Sequence, residues 1–201
     1  MQRSSLEAAA RATLLRTAAQ AIAAGLGQCA ASAPEVGRLP VVLREPRASF
    51  VTLTIEGELR GCCGTLEPAR PLALDVWRNA QASAFRDPRF APLAVHEWRR
   101  TRLEVSVLSP RERIEVASEE ALLGELVPGR DGLVIAWRGM RATFLPKVWE
   151  HLEHPRDFLR HLKLKAGWAP DFWSDDVEIW RYEAEVMASD TSALLEGEPA
   201  A

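Results

Sequence analysis

Between residues 49 and 65 the apolar side chains recur at every second position, and a period of two fixes this stretch as half-buried β-strand. Val51, Leu53 and Ile55 alternate with Thr52 and Thr54. Glu56-Gly57 then supplies a two-residue turn, and Leu59 opens a return strand. The hairpin anchors the reading of its neighbours. Upstream, Leu6, Leu14, Leu15, Ala18 and Ile22 follow near helical period, Ser4 and Glu7 have capping-box spacing, and Gly25 and Gly27 end the helix. Residues 30–46, rich in Ala, Pro and Gly, read as a connecting loop.

Downstream, Pro71 suits the first turn of a helix carrying Leu72, Val76, Ala80 and Phe85, and Asp87-Pro88 breaks it. Leu103, Val105 and Val107 alternate with Glu104 and Ser106 in a half-buried strand closed by Ser109-Pro110. A short helix is predicted over 119–126. A second hairpin joins 133–137 to 141–145 through Arg138-Gly139. A helix opens at Pro155 and ends at Gly167, and a closing strand covers 177–187. Hairpin-linked strands with helices between them give an α+β fold with a largely antiparallel sheet flanked by helices. The polar last residues, 188–201, read as a frayed tail.

Length and charge narrow the function classes. The 201 residues, 47% of them hydrophobic, suffice for a sizeable core in one domain. A net charge of −3 gives no indication of nucleic-acid binding. No targeting segment or membrane-length apolar run is visible, so a cytoplasmic protein is expected. Three cysteines, two of them adjacent, fit reduced thiols in a cytosol better than a disulfide scaffold, because neighbouring strand residues point to opposite faces. With only Lys147, Lys163 and Lys165 as lysines, the arginine bias reads as a GC-rich bacterial genome.

Chemistry concentrates at the return strand. In regular alternation Arg60, Cys62 and Gly64 share one face, and Leu59, Gly61 and Cys63 the other. Cys63 then packs as a small apolar residue. Cys62, beside the Arg60 guanidinium, has the makings of a nucleophile or soft metal ligand, and Gly61 and Gly64 let a backbone or ligand come close. The alternative is a buried small cysteine with glycines marking a bulge. Glu104 and Ser106 lie on the polar face of their strand. They either join Arg60 and Cys62 around a concavity, with Glu104 as general base, or stand on a solvated sheet face.

The segment Leu59-Arg60-Gly61-Cys62-Cys63-Gly64-Thr65-Leu66 resembles the hallmark motif of the AMMECR domain family, which usually has isoleucine where this chain has Cys63. Further stretches match in order: Ser83-Ala84-Phe85 through Asp87-Pro88-Arg89-Phe90, Leu103 to Pro110, Pro128-Gly129-Arg130-Asp131-Gly132, Arg141 to Pro146 with Trp149, and Lys163-Leu164-Lys165-Ala166-Gly167. The last two look like the prokaryotic AmmeMemoRadiSam system A branch. The resemblance spans residues 5–187. It implies an α+β domain with a larger and a smaller lobe, and a Memo-like protein and a radical SAM enzyme as partners. It brings no reaction and no cofactor.

The remaining candidates each have two readings. Asp87 is a turn residue before proline, and Arg89 either fixes that loop or holds a carboxylate or phosphate. Lys163 and Lys165 either offset a helix dipole or, with Lys147, form an anion site. His151, His154 and His161 lack any recognised metal-ligand spacing, so no metal site is assigned. Two functions fit these residues. One is an enzyme, with Cys62 as nucleophile, Arg60 as substrate anchor and Glu104 as proton carrier. The other is a non-catalytic binding module that docks onto its partners.

Overall fold

The structure, a computed structural model, describes residues 6–195. In chain order its elements are α1 (Ala8–Gly25), α2 (Val41–Arg44), β1 (Ser49–Ile55), β2 (Glu58–Gly64), α3 (Leu72–Phe85), α4 (Val95–Trp98), β3 (Thr101–Leu108), β4 (Glu112–Ile114), α5 (Glu119–Glu125), β5 (Gly132–Trp137), β6 (Met140–Phe144), α6 (Pro155–Lys165), β7 (Glu178–Tyr182), β8 (Ala184–Asp190) and α7 (Thr191–Leu195). The fold is α+β. The strands form two four-stranded sheets, ordered β2-β1-β3-β8 and β4-β7-β5-β6. The chain divides into two compact units: one runs to Leu108 and resumes at Glu185, the other is Ser109–Ala184.

In the first unit, Val51, Leu53, Leu103, Val105 and Val107 present one sheet face to α1 and α3, and all five are fully buried. Alternation places Thr52, Thr54 and Glu104 on the opposite face, where they are only half-buried. The β1–β2 turn has positive φ at both Glu56 and Gly57, 54° and 88°, the backbone that matches strand twist in a two-residue hairpin. In the second unit, Leu133, Ile135 and Ile179 on the sheet pack with Leu122, Phe158, Leu159 and Leu162 on α5 and α6.

Several boundaries differ from the sequence reading. Helix α1 opens at Ala8 with Glu7 as its cap residue and no side-chain cap bond, and Ser4 lies outside the described residues. Pro71 is the residue before α3 rather than part of its first turn. The loop over 30–46 contains α2 and a single 3₁₀ turn, Val36–Arg38.

The closing strand is two strands, β7 and β8, in different sheets. At the break, the Glu183 N–H donates to Ser109 Oγ at 2.9 Å, and the Ser109 N–H donates to the Glu183 carbonyl at 2.8 Å. This local pairing satisfies the backbone where the chain leaves one sheet, while the side-chain alternation continues and conceals it. The stretch read as a frayed tail is structured up to residue 195. The reason is Thr191, fully buried, whose one hydroxyl proton is shared between the carbonyls of Trp98 and Thr101.

Candidate functional site

Strand β2 is the edge of its sheet, so its outward N–H and C=O groups need partners. Asp87 and Arg89 supply them. The Asp87 carboxylate accepts from the Cys62 N–H at 2.8 Å, and Arg89 Nη2 donates to the Cys62 carbonyl at 3.3 Å. The two side chains also bind each other, Arg89 Nε to Asp87 Oδ1 at 2.9 Å and Nη2 to Oδ2 at 2.7 Å. Together they occupy both outward backbone groups of one residue, as a neighbouring strand would. The Arg89 guanidinium holds the Asp87 carboxyl well below the usual carboxylate range, against the opposing effect of burial. Asp87 thus accepts from two backbone N–H groups, those of Cys62 and Arg89, and Arg89 links it to the Cys62 carbonyl.

One residue further, the Cys63 N–H donates to Ser83 Oγ at 2.8 Å, and that hydroxyl lies within hydrogen-bond reach of the Val51 and Asn79 carbonyls, which share its one proton. Helix α3 can come this near only because residue 61 has no side chain. A Cβ on Gly61 would lie 2.1 Å from the Ser83 carbonyl oxygen. At Gly64 a Cβ would lie 2.2 Å from the Phe50 ring. The close approach inferred for both glycines is real, and what approaches is the protein itself.

The pairing register is interrupted at one residue of the motif. Leu53 pairs with Gly61 and Thr54 with Leu59, which leaves Arg60 as an extra residue in a β-bulge. Arg60 has no partner residue on β1 at the bulge. Its guanidinium forks onto Glu97 instead, Nε to Oε1 at 2.8 Å and Nη2 to Oε2 at 3.0 Å. This pairing with Arg60 lowers the Glu97 carboxyl to about 2. Cys62 pairs with Thr52, whose hydroxyl lies 3.4 Å from the sulfur, and on its other side Thr52 pairs with Glu104. Cys62, Thr52 and Glu104 therefore form one row across three strands, on one face. Ser106 is one row along, opposite Phe50 and buried.

Cys63, by contrast, pairs with Val51 on the helix-facing side, and burial pushes its thiol up. The bulge separates it from Leu59, which is exposed. The Arg89 charge opposes that rise at Cys63 without overcoming it.

Lys163 and Lys165 do not share a site. Lys163, 1% exposed, binds Glu119 at 2.6 Å and the Pro170 carbonyl at 3.3 Å. Lys165 Nζ donates to the Thr143 carbonyl at 3.0 Å and lies over the Phe144 ring. Lys163 is thus a buried link between α5 and α6.

Sequence reasoning missed Asp75, the centre of the polar network beneath the motif. This buried carboxylate accepts from the Ser49 N–H at 3.0 Å, the Ser49 hydroxyl at 2.7 Å, the Thr65 hydroxyl at 2.6 Å, Arg70 Nη1 at 3.1 Å and Asn79 Nδ2 at 2.9 Å. Its signal was present: Asp75, Asn79 and Ser83 recur every fourth residue on the apolar side of α3. Glu97, 37 residues from Arg60, left no such trace.

A model of the AMMECR1 family matches residues 15–187, most of the chain. The chain belongs to the AMMECR1 family. Among AMMECR1 relatives, it is 40% identical over 152 residues to protein MJ0810 of Methanocaldococcus jannaschii, covering 74% of this chain and 76% of that protein. A Thermotoga maritima protein is 40% identical over 150 residues, covering 73% of this chain and 81% of its own length. The crystal structure of the uncharacterised protein PH0010 from Pyrococcus horikoshii superposes with a TM-score of 0.80 at 33% identity, covering 88% of this chain and 90% of that one. These AMMECR1 relatives are mostly archaeal, so the bacterial source read from the arginine bias is not supported. Among the described residues no helix is long and apolar enough to cross a membrane.

Proposed function

We propose that this AMMECR1 domain is a non-catalytic binding module, acting in the cytoplasm with a Memo-like protein and a radical SAM enzyme. One observation carries the non-catalytic reading: each guanidinium near the cysteines already holds a carboxylate, Arg60 with Glu97 and Arg89 with Asp87. Neither is left as an unpaired cation to favour a thiolate or to anchor a substrate anion. The glycines, Asp87 and Ser83 are likewise engaged in holding α3 and the 87–90 loop against β2. The choice of partners rests on the prokaryotic system A motifs of the sequence.

The surface beside the motif has the composition of a contact site. Phe90, half-buried, lies 5.9 Å from the Arg60 guanidinium and 5.5 Å from that of Arg89, with Leu59 exposed on the neighbouring strand. Aromatic and arginine side chains are the types that dominate binding energy at interfaces. A catalytic role has one feature in its favour, the row Cys62–Thr52–Glu104. Backbones two strands apart are separated by about 10 Å, so a bridging substrate would be needed to join thiol and carboxylate.

Calorimetric titration of the full chain against the Memo-like protein and the radical SAM enzyme tests this function. Wild type and Cys62→Ala are expected to bind a partner equally, and Phe90→Ala to bind at least about tenfold more weakly while melting normally. Absence of binding to both partners at high micromolar concentration would contradict it.

A further inference from the structure

Away from the cysteine motif, α1, the segment after it, α4 and α7 enclose a cavity of about 160 Å³. One part of its wall is apolar: Ala19 and Ala23 of α1, Trp98 of α4 and Leu194 of α7 line it, the first three almost fully buried, while Gln20 and Gln28 add amide groups. Two arginines, Arg16 and Arg99, also line it, and among the described residues no aspartate or glutamate does. The only polar contact among the described residues that Arg16 makes through its guanidinium is with Thr13 Oγ1 at 3.4 Å, and Arg99 makes no ion pair among them. The arginines of the motif, each forked onto a carboxylate, differ in this respect.

A guanidinium keeps its charge at any physiological pH and favours planar, two-oxygen anions. A pocket with an apolar wall and such groups at it, and no carboxylate of the described residues to satisfy them, complements a ligand with an apolar body and a carboxylate head. Size sets the class further, since an apolar cavity of roughly 150 Å³ accommodates a benzene ring. We propose that this cavity binds a small organic monocarboxylate with a body of about one aromatic ring, its ring among Ala19, Ala23, Trp98 and Leu194 and its carboxylate on Arg16 and Arg99. The occupant is a free small molecule, and the site is independent of the docking function.

Cys29 gives the site its own reporter, because it lines the cavity and its thiol is exposed. Sodium benzoate, titrated into the full chain, is the probe. It is expected to slow alkylation of Cys29 saturably, with a dissociation constant on the order of 1 mM, as befits so small a ligand. Alkylation of Cys62, followed in the same digest, should not respond. Benzyl alcohol, of similar shape without the charge, should protect at least about tenfold less well.

Arg99→Glu, on an exposed residue without ion pairs among the described residues, should fold normally and lose the protection. Ala23→Leu should fill the cavity and lose it as well. Failure of benzoate to protect Cys29 at 20-fold the expected constant, about 20 mM, would overturn the proposal. Equal protection in Arg99→Glu and wild type would do the same.

Discussion

Gly61 has the tightest tolerance in the motif, because the atom its side chain would meet is backbone. A Cβ 2.1 Å from the Ser83 carbonyl has to push α3 away from β2, and the Cys63–Ser83 bond goes with it. Gly61→Ala is therefore expected to cost about 2–3 kcal/mol, read as a fall in the denaturation midpoint. Gly124 in α5, with nothing within 4 Å of the same construction, serves as its control. Gly124→Ala should stabilise by about 0.5–1 kcal/mol by helix propensity alone.

The bulge residue makes a second expectation at this scale. Glu97 has a lower pKa folded, about 2, than the 4.5 of a free glutamate, so the folded state binds its proton less readily. Its pairing with Arg60 contributes stability that is fully present above about pH 5 and disappears as the pH falls through 4 toward 2. Asp87, also lowered, adds loss in the same direction. Denaturation midpoints between pH 5 and 2 should fall less steeply for Glu97→Gln than for wild type. Parallel slopes would show that the Arg60–Glu97 fork carries no stability.

Among the elements, α5 and α6 are joined by a buried lysine. Lys163 is 1% exposed while its partner Glu119 is 27% exposed, so the two ends of the pair are not equivalent. Glu119→Ala strands a buried ammonium and is expected to cost about 3 kcal/mol. Lys163→Met leaves a carboxylate that water can reach, and should cost under about 1 kcal/mol. Thermal melts of the two variants and the double variant check this, and the double variant should resemble Lys163→Met. The elements themselves were largely legible from period and punctuation: both hairpins, α3, β3 and α6 lie close to where alternation, Pro155 and Gly167 place them. Where one alternating run served two sheets, at β7 and β8, the pattern had nothing to mark the break, because it is made by Ser109, 74 residues away. Short elements such as β4 and α4 carry too few residues to show a period.

In the molecule as a whole, the sequence located the motif and the structure shows what its residues contact. Which residues cluster at β2 was readable, since Arg60, Cys62, Gly61 and Gly64 are contiguous. Their partners were not, because Glu97, Thr52 and Ser83 come from other elements and the bulge at Arg60 depends on pairing register. The outcome is a motif in which Arg60 and Arg89 each pair with a carboxylate and each backbone N–H of the cysteine pair has an acceptor, the arrangement on which the proposed binding role rests. Peptide-resolved mass spectrometry of iodoacetamide labelling at pH 6 measures this directly. Cys62 is expected to react no faster than the thiol of an unstructured cysteine peptide. Labelling of Cys62 many times faster than the peptide would reveal an activated nucleophile and contradict a purely binding role.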